Sequence, residues 1–354
     1  MLLLLTALLV ATAPVDTIRV NDSHWRVYDS QGNPSSLEAI VRATAGADAL
    51  FIGETHDDPV VHHLQLQLLQ QVFAAQFTRG VALSMEMFCR DVQYIVDEYL
   101  DGQISESAFL AASSPWPNYA TDYRPLVEFA KAHNLPVVAA NAPRRYVSRV
   151  TRQGPESLNE LSERAKASLA PLPYAKASEV YAAKWNALME ESMAGMVAAR
   201  RTADSTAVAS GSTPTMAPAS ASAPTMPHAS PAAATTTTTA TAAMPAAAPS
   251  GPAHGGMSFM LDSQSLWDAT MAYSMAEHLV RNPGSIVVHV VGAFHVESYT
   301  GIPEHLTRYR PGTGQVVVSV RPAADVTVFE RDKHAGLGDF VILADESLPR
   351  THQR

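Results

Sequence analysis

Two stretches of this chain place a histidine three residues after a glycine, each at the end of an apolar run. Ala49-Leu50-Phe51-Ile52 leads into Gly53-Glu54-Thr55-His56-Asp57-Asp58, and Ile286-Val287-Val288-His289-Val290-Val291 leads into Gly292-Ala293-Phe294-His295. Glycine lets a strand turn off sharply. An imidazole beside a carboxylate can ligate a metal, move a proton or hydrogen-bond a bound group. Glu54, His56 and His295 are therefore the first candidates. Glu86, inside Leu83-Ser84-Met85-Glu86-Met87-Phe88, is a fourth. A carboxylate in so apolar a strand must be paired, bound to a metal or protonated. These four residues suit a divalent metal, and with it a metal-dependent hydrolase.

Other polar groups follow at matching places. Asn141-Ala142-Pro143-Arg144-Arg145 comes after another apolar run, and arginine grips carboxylates through paired hydrogen bonds. Arg144 is the candidate and Arg145 reads as surface. His62 and His63 fall in the first turns of a helix, about 100° apart, so one of them faces the site. Gln264 and Asp268 are four apart on a helix and share a face. The neighbouring Trp267, Met271 and Met275 read as core. Asp58 reads as a helix cap before Pro59. The chain has no nucleophile-elbow motif, P-loop or dinucleotide-binding glycine fingerprint.

The elements that must carry these residues alternate. Strands are expected at Ala49–Ile52, Val81–Met87, Leu135–Asn141, Ile286–Val291, Gln315–Val320 and Phe340–Leu343. Helices are expected from Ser35-x-x-Glu38 toward Ala45, over Pro59–Gln76, Val92–Leu100 and Tyr123–His133, after a Ser105 cap, and over Gln264–Val280. The alternation predicts an α/β fold with a mostly parallel sheet flanked by helices. In open sheets of this kind ligands bind at the carboxyl edge of the strands, where both Gly-x-x-His motifs would sit. Glu156–Leu169 and Glu179–Arg201 read as helices with no strand between them, a small helical subdomain. From Thr202 to Gly256 the sequence is nearly all Ala, Ser, Thr and Pro, which reads as a disordered insertion. The expected organisation is a signal peptide at 1–13, an α/β domain begun by 14–154, the helical subdomain at 155–201, the insert at 202–256 and the rest of the α/β domain at 257–354.

With 354 residues, 47% of them hydrophobic, the chain can bury a full core, and its net charge of −9 argues against nucleic-acid binding. The lone Cys89 excludes an intramolecular disulfide and any cysteine-based metal cluster within the chain. The apolar run Met1–Val10 ends in Ala11-Thr12-Ala13, a small-x-small cleavage pattern, although no Lys or Arg precedes it and Pro14 follows. It predicts export to the periplasm or cell envelope. No cysteine follows for lipid attachment, which leaves membrane association open.

Taken in order, the motifs resemble a known family. Gly53-Glu54-Thr55-His56-Asp57-Asp58 with His62, His63 and Gln65, then Tyr123-Arg124-Pro125-Leu126, the stretch Val137–Arg144, Gln264-x-x-Trp267-Asp268-x-x-Met271-Ala272 and Gly292-x-x-His295-Val296 look like the ChaN-like haem-binding uptake proteins of the Tiki superfamily. The resemblance implies haem as ligand, a role in iron or haem acquisition and a homodimer sandwiching haem. It also points to hydrolase relatives, the Tiki metalloproteases and erythromycin-esterase-like enzymes, whose site histidines and acids would correspond to Glu54, His56, Glu86 and His295. The haem-binding candidates are then His56, His63, Tyr123, Asn141, Arg144, His254, Gln264, Asp268 and His295. The axial ligand stays open among Tyr94, Tyr119, Tyr123, His63 and His254.

Overall fold

A computed structural model of the chain describes residues 19–209 and 259–352. The run at 1–13, His254 and the greater part of the 202–256 segment lie outside the described residues.

Among the described residues seven strands form one sheet: β1 (Trp25–Asp29), β2 (Ala49–Glu54), β3 (Val81–Cys89), β4 (Val137–Asn141), β5 (Ile286–Gly292), β6 (Gln315–Ala323) and β7 (Phe340–Asp345). Their order is β1-β7-β6-β2-β5-β3-β4. Every pairing is parallel except β1 with β7. The fold is thus the expected mostly parallel α/β sheet flanked by helices. The central strands β2 and β5 are buried at every position, the pattern of strands covered on both faces. The helix Pro59–Ala75 packs its buried Val60, Leu64, Leu68 and Val72 on one face. The helix Met260–Arg281 packs Met271, Ala272, Met275 and Leu279 on the other.

Local chemistry explains several helix starts. Asp58 accepts from the Val60 backbone N–H at 2.9 Å with Pro59 in the first turn, and Ser105 caps the helix Glu106–Ser113. Some expectations need correction. The first helix is capped by Ser36, not Ser35. Glu156–Leu169 is no continuous helix: a 3-10 stretch, Pro155–Glu160, ends before the short turn Glu163–Lys166 that Ser162 caps afresh. The helix expected from Gln264 begins at Met260. The helix Glu179–Ala209 runs past Arg201 into the segment read as an insert. Alanine-rich sequence sustains a helix already nucleated. Among the described residues no helix is long and apolar enough to cross a membrane.

The topology decides where the site lies. The chain runs β2, β3, β4 outward in one direction and only later returns to place β5 between β2 and β3. The two Gly-x-x-His strands become neighbours, with Glu54 in register with Gly292.

Candidate functional site

The first wall is built around Glu54, the last residue of β2. Its side chain is fully buried, yet three donors meet it. His56 Nδ1–H donates to Oε1 at 2.8 Å, the Tyr123 hydroxyl donates to the same oxygen at 2.6 Å, and Gln65 Nε2 donates to Oε2 at 2.5 Å. Burial pushes the Glu54 carboxyl upward, but the His56 hydrogen bond, the charges of His62 and His56, and Tyr123 overcome it and hold the group at about 2. Glu54 is therefore a carboxylate at any physiological pH. His62, at the end of the first turn of the helix Pro59–Ala75, faces Gln65 Oε1 at 3.1 Å and the His56 carbonyl at 3.2 Å. Asn118 donates to that carbonyl and to Asp122, at 2.8 and 2.6 Å.

The second wall rises from the opposite face of the sheet. His295, in the turn after β5, gives Nδ1 to the buried Asp268 and lies against Gln264 Nε2 at 3.3 Å. Its Nε2 is 3.8 Å from Glu86 Oε1. Burial pushes the His295 imidazole downward, but Asp268 and Glu86 outweigh it and hold it above the usual histidine range. Glu86 Oε2 accepts from the Gly292 backbone N–H at 2.8 Å. The β3–β4 register shifts between Met85 and Cys89, and such irregularities at a sheet edge re-aim side chains. Asn141 ties this bend down by donating to the Glu86 carbonyl at 3.0 Å.

The walls meet over the two glycines. A Cβ on Gly292 would stand 2.9 Å from His56 Cε1 and 3.6 Å from Glu86 Oε2. A Cβ on Gly53 would stand 2.9 Å from Ala293 Cα. Each motif's glycine thus makes room for the other motif. Gly292→Ala is expected to displace the His56 ring and cost about 1–3 kcal/mol, the usual range for overpacking. The His56 Nδ1–H resonance in a nitrogen-edited NMR spectrum checks this, and an unmoved resonance would refute it. On the outer side His56 remains 26% exposed and meets the partly covered Trp116 edge-on at 4.7 Å between ring centres. Arg144, also partly covered, lies 5.9 Å from the Trp116 ring centre.

The model of the ChaN family, described as haem-binding uptake proteins of the Tiki superfamily, matches residues 40–306. The chain belongs to the ChaN family. Its fold is similar to ChaN of Campylobacter jejuni, solved for its cofacial haem binding, at a TM-score of 0.55 and 13% identity over 92% of this chain and 98% of that one. A curated plant relative, the chloroplastic RETICULATA-RELATED 5 protein of Arabidopsis thaliana, is 24% identical over 153 residues. That match takes in 39% of this chain and only 20% of the plant protein.

Within this ChaN-family chain the structure gathers Glu54, His56, Glu86, Asn141, Gln264, Asp268 and His295 at one edge. It also changes several assignments. His63 turns away toward Asp22, and His62 is the member of the pair that enters the site, where it completes the Glu54 network. Tyr123 is buried and committed to Glu54, with its hydroxyl proton held far more tightly than usual by burial and by that carboxylate, so it does not fit as an exposed ligand. Tyr119 is buried among Phe88 and Phe109, and Tyr94 is exposed on the helix Gln93–Leu100. Gln264 and Asp268 brace His295, and Asn141 braces the β3 bend. Among the described residues no group of three or more His, Cys, Asp or Glu side chains is disposed to hold a metal ion. Glu54 with His56 and Asp268 with His295 pair off two by two on different faces, so the described residues do not support the expected divalent-metal site. Sequence reasoning missed Trp116, although an aromatic between Pro115 and Pro117 in a polar loop is a signal of a presented side chain.

Proposed function

We propose that the chain binds haem on the open edge formed by His56, Trp116 and Arg144, as part of haem or iron acquisition in an exported setting. The observation that carries this reading is the partly exposed His56 imidazole, held through Nδ1 by the buried Glu54 carboxylate. Carboxylate-held histidines are the usual nitrogen ligands of metal centres, oriented and made more basic by the second bond. His56 would supply the nitrogen ligand, Trp116 the flat apolar contact and Arg144 the partner for a propionate. Haem so held supplies an iron–porphyrin for carriage, and the chain's own residues orient it and balance its charge.

The three side chains are each only partly covered, which suits a ligand shared between two surfaces. The haem arrangement named for the Campylobacter protein is cofacial, and on this reading two copies of the chain close over haem. Export is supported by the apolar Met1–Val10 run with its Ala11-Thr12-Ala13 ending and by membership of a family of uptake proteins.

Adding haem to the purified chain at micromolar concentration is expected to give a Soret band and a shift toward dimer in sedimentation. His56→Ala and Arg144→Ala are each expected to weaken binding about tenfold or more, the equivalent of about 1.4 kcal/mol. Absence of a spectral change, or titrations identical to the parent in both variants, would sink this assignment.

A further inference from the structure

The turn that follows His295 is held in an unfavourable shape. Ser298 and Tyr299 adopt φ of 57° and 59°, and Gly301 follows at 67°. Left-handed backbone at non-glycine residues is unfavourable and persists only where the surroundings enforce it. At Gly301 a Cβ would stand 2.6 Å from the His295 carbonyl and 3.1 Å from Asp268 Oδ2, so the same turn shapes the floor under the His295–Asp268 pair. One side chain outside the turn bonds it at three points. Lys184, in the second turn of the helix Glu179–Ala209, donates to the Phe294 carbonyl at 2.6 Å, the Glu297 carbonyl at 3.1 Å and Thr300 Oγ1 at 2.8 Å. All three ammonium protons are thereby used. The ammonium also lies over the Phe294 and Tyr181 rings, 4.5 and 5.0 Å from their centres.

We propose that Lys184 is a positioning residue for His295, its ammonium holding the 294–300 turn in the left-handed shape that keeps the imidazole on Asp268. Lys184 touches residues on both sides of His295 without touching His295 itself. Other contacts also hold the turn, but from its far side: Ser298 N–H donates to the Leu337 carbonyl, and the Glu297 carboxylate is held by Ser319 and Arg321. Burial pushes the ammonium down to about 8, with Glu297, Asp268 and Glu304 drawing it up and Arg321 pressing it further down, so it is charged at neutral pH.

This rests on reading His295 as part of the site, and it is tested in the haem-free chain so that failure of haem binding does not bear on it. The His295 imidazole is followed by NMR through a pH titration in the parent, Lys184→Met and Thr300→Val. Loosening of the turn lets the ring leave Asp268, and the midpoint is expected to fall toward that of an ordinary histidine in both variants. Mere loss of a nearby positive charge would instead raise it in Lys184→Met. A midpoint raised or unchanged in either variant overturns the proposal. Thr300→Val keeps the charge and removes one acceptor, so it decides alone should Lys184→Met fail to fold.

Discussion

Glu54→Ala is expected to destabilise the folded chain by about 3–5 kcal/mol, the range for removing one partner of a buried charged pair. The substitution does more than open a small cavity. It leaves the Tyr123 hydroxyl, the Gln65 amide and the His56 Nδ1–H without their acceptor in a dry environment, and each stranded donor costs about 1–3 kcal/mol. Glu54→Gln keeps the volume but replaces an acceptor oxygen by a donor facing donors, so it is expected to lose nearly as much. The parent's pH dependence carries the same information. The Glu54 carboxyl sits at about 2 when folded against 4.5 for an ordinary glutamate. A depressed carboxyl stabilises above the unfolded value, so this contribution is whole above about pH 5 and is lost as the pH falls through about 2. Urea unfolding at pH 7 and pH 3 measures both. A loss below about 1 kcal/mol in Glu54→Ala would show that the three donors find water instead.

Asp268→Ala is expected to have a comparable effect on the other wall, about 3–5 kcal/mol at pH 6, because it leaves the buried His295 imidazolium without its partner. The sign with pH is opposite. His295 is held above 6.5 when folded, so its contribution is fully present below that value and fades as the pH rises through the folded one. The penalty of Asp268→Ala should therefore shrink as the pH rises through the folded His295 value, while that of Glu54→Ala should not. Unfolding free energies of the two variants, measured from pH 6 upward beside the His295 titration, check this. A penalty for Asp268→Ala that stays level while the ring loses its proton would mean that Asp268 holds it by hydrogen bonding alone.

Much of the fold was legible because the strands are unambiguous. Ala49–Ile52, Val81–Met87 and Ile286–Val291 are short apolar runs bounded by turn residues, and their separation by helices allows little but parallel pairing. The antiparallel β1 escaped notice because Trp25-Arg26-Val27-Tyr28-Asp29 is short and only two of its residues are buried. The pairing of β2 with β5 is not written in local periodicity. The two like motifs suggest only one shared site; the pairing itself, with Glu54 in register with Gly292, comes from the fold. At the site, residue types pointed to side chains that the fold gathers at one edge, but not to what each of them touches. Tyr123, Gln264 and Asp268 read as ligand contacts through the family resemblance. Burial turned them into supports, and burial depends on neighbours far away in sequence. Of His62 and His63, only the helix's rotation against the sheet decides which enters.

The late arrival of β5 has a consequence for how the binding edge comes into being. Until that strand is in place, β2 and β3 each present an unpaired ladder edge across the gap it will fill, the arrangement most apt to recruit a foreign strand. The long segment between the helix Glu179–Ala209 and the helix Met260–Arg281 lengthens the loop that must close before this happens. Yet each doubling of the sequence separation adds only about 0.6 kcal/mol to closure. The added separation therefore costs little thermodynamically, while the risk it adds is kinetic: a nascent chain spends longer with its central gap unfilled and its two histidines unacquainted.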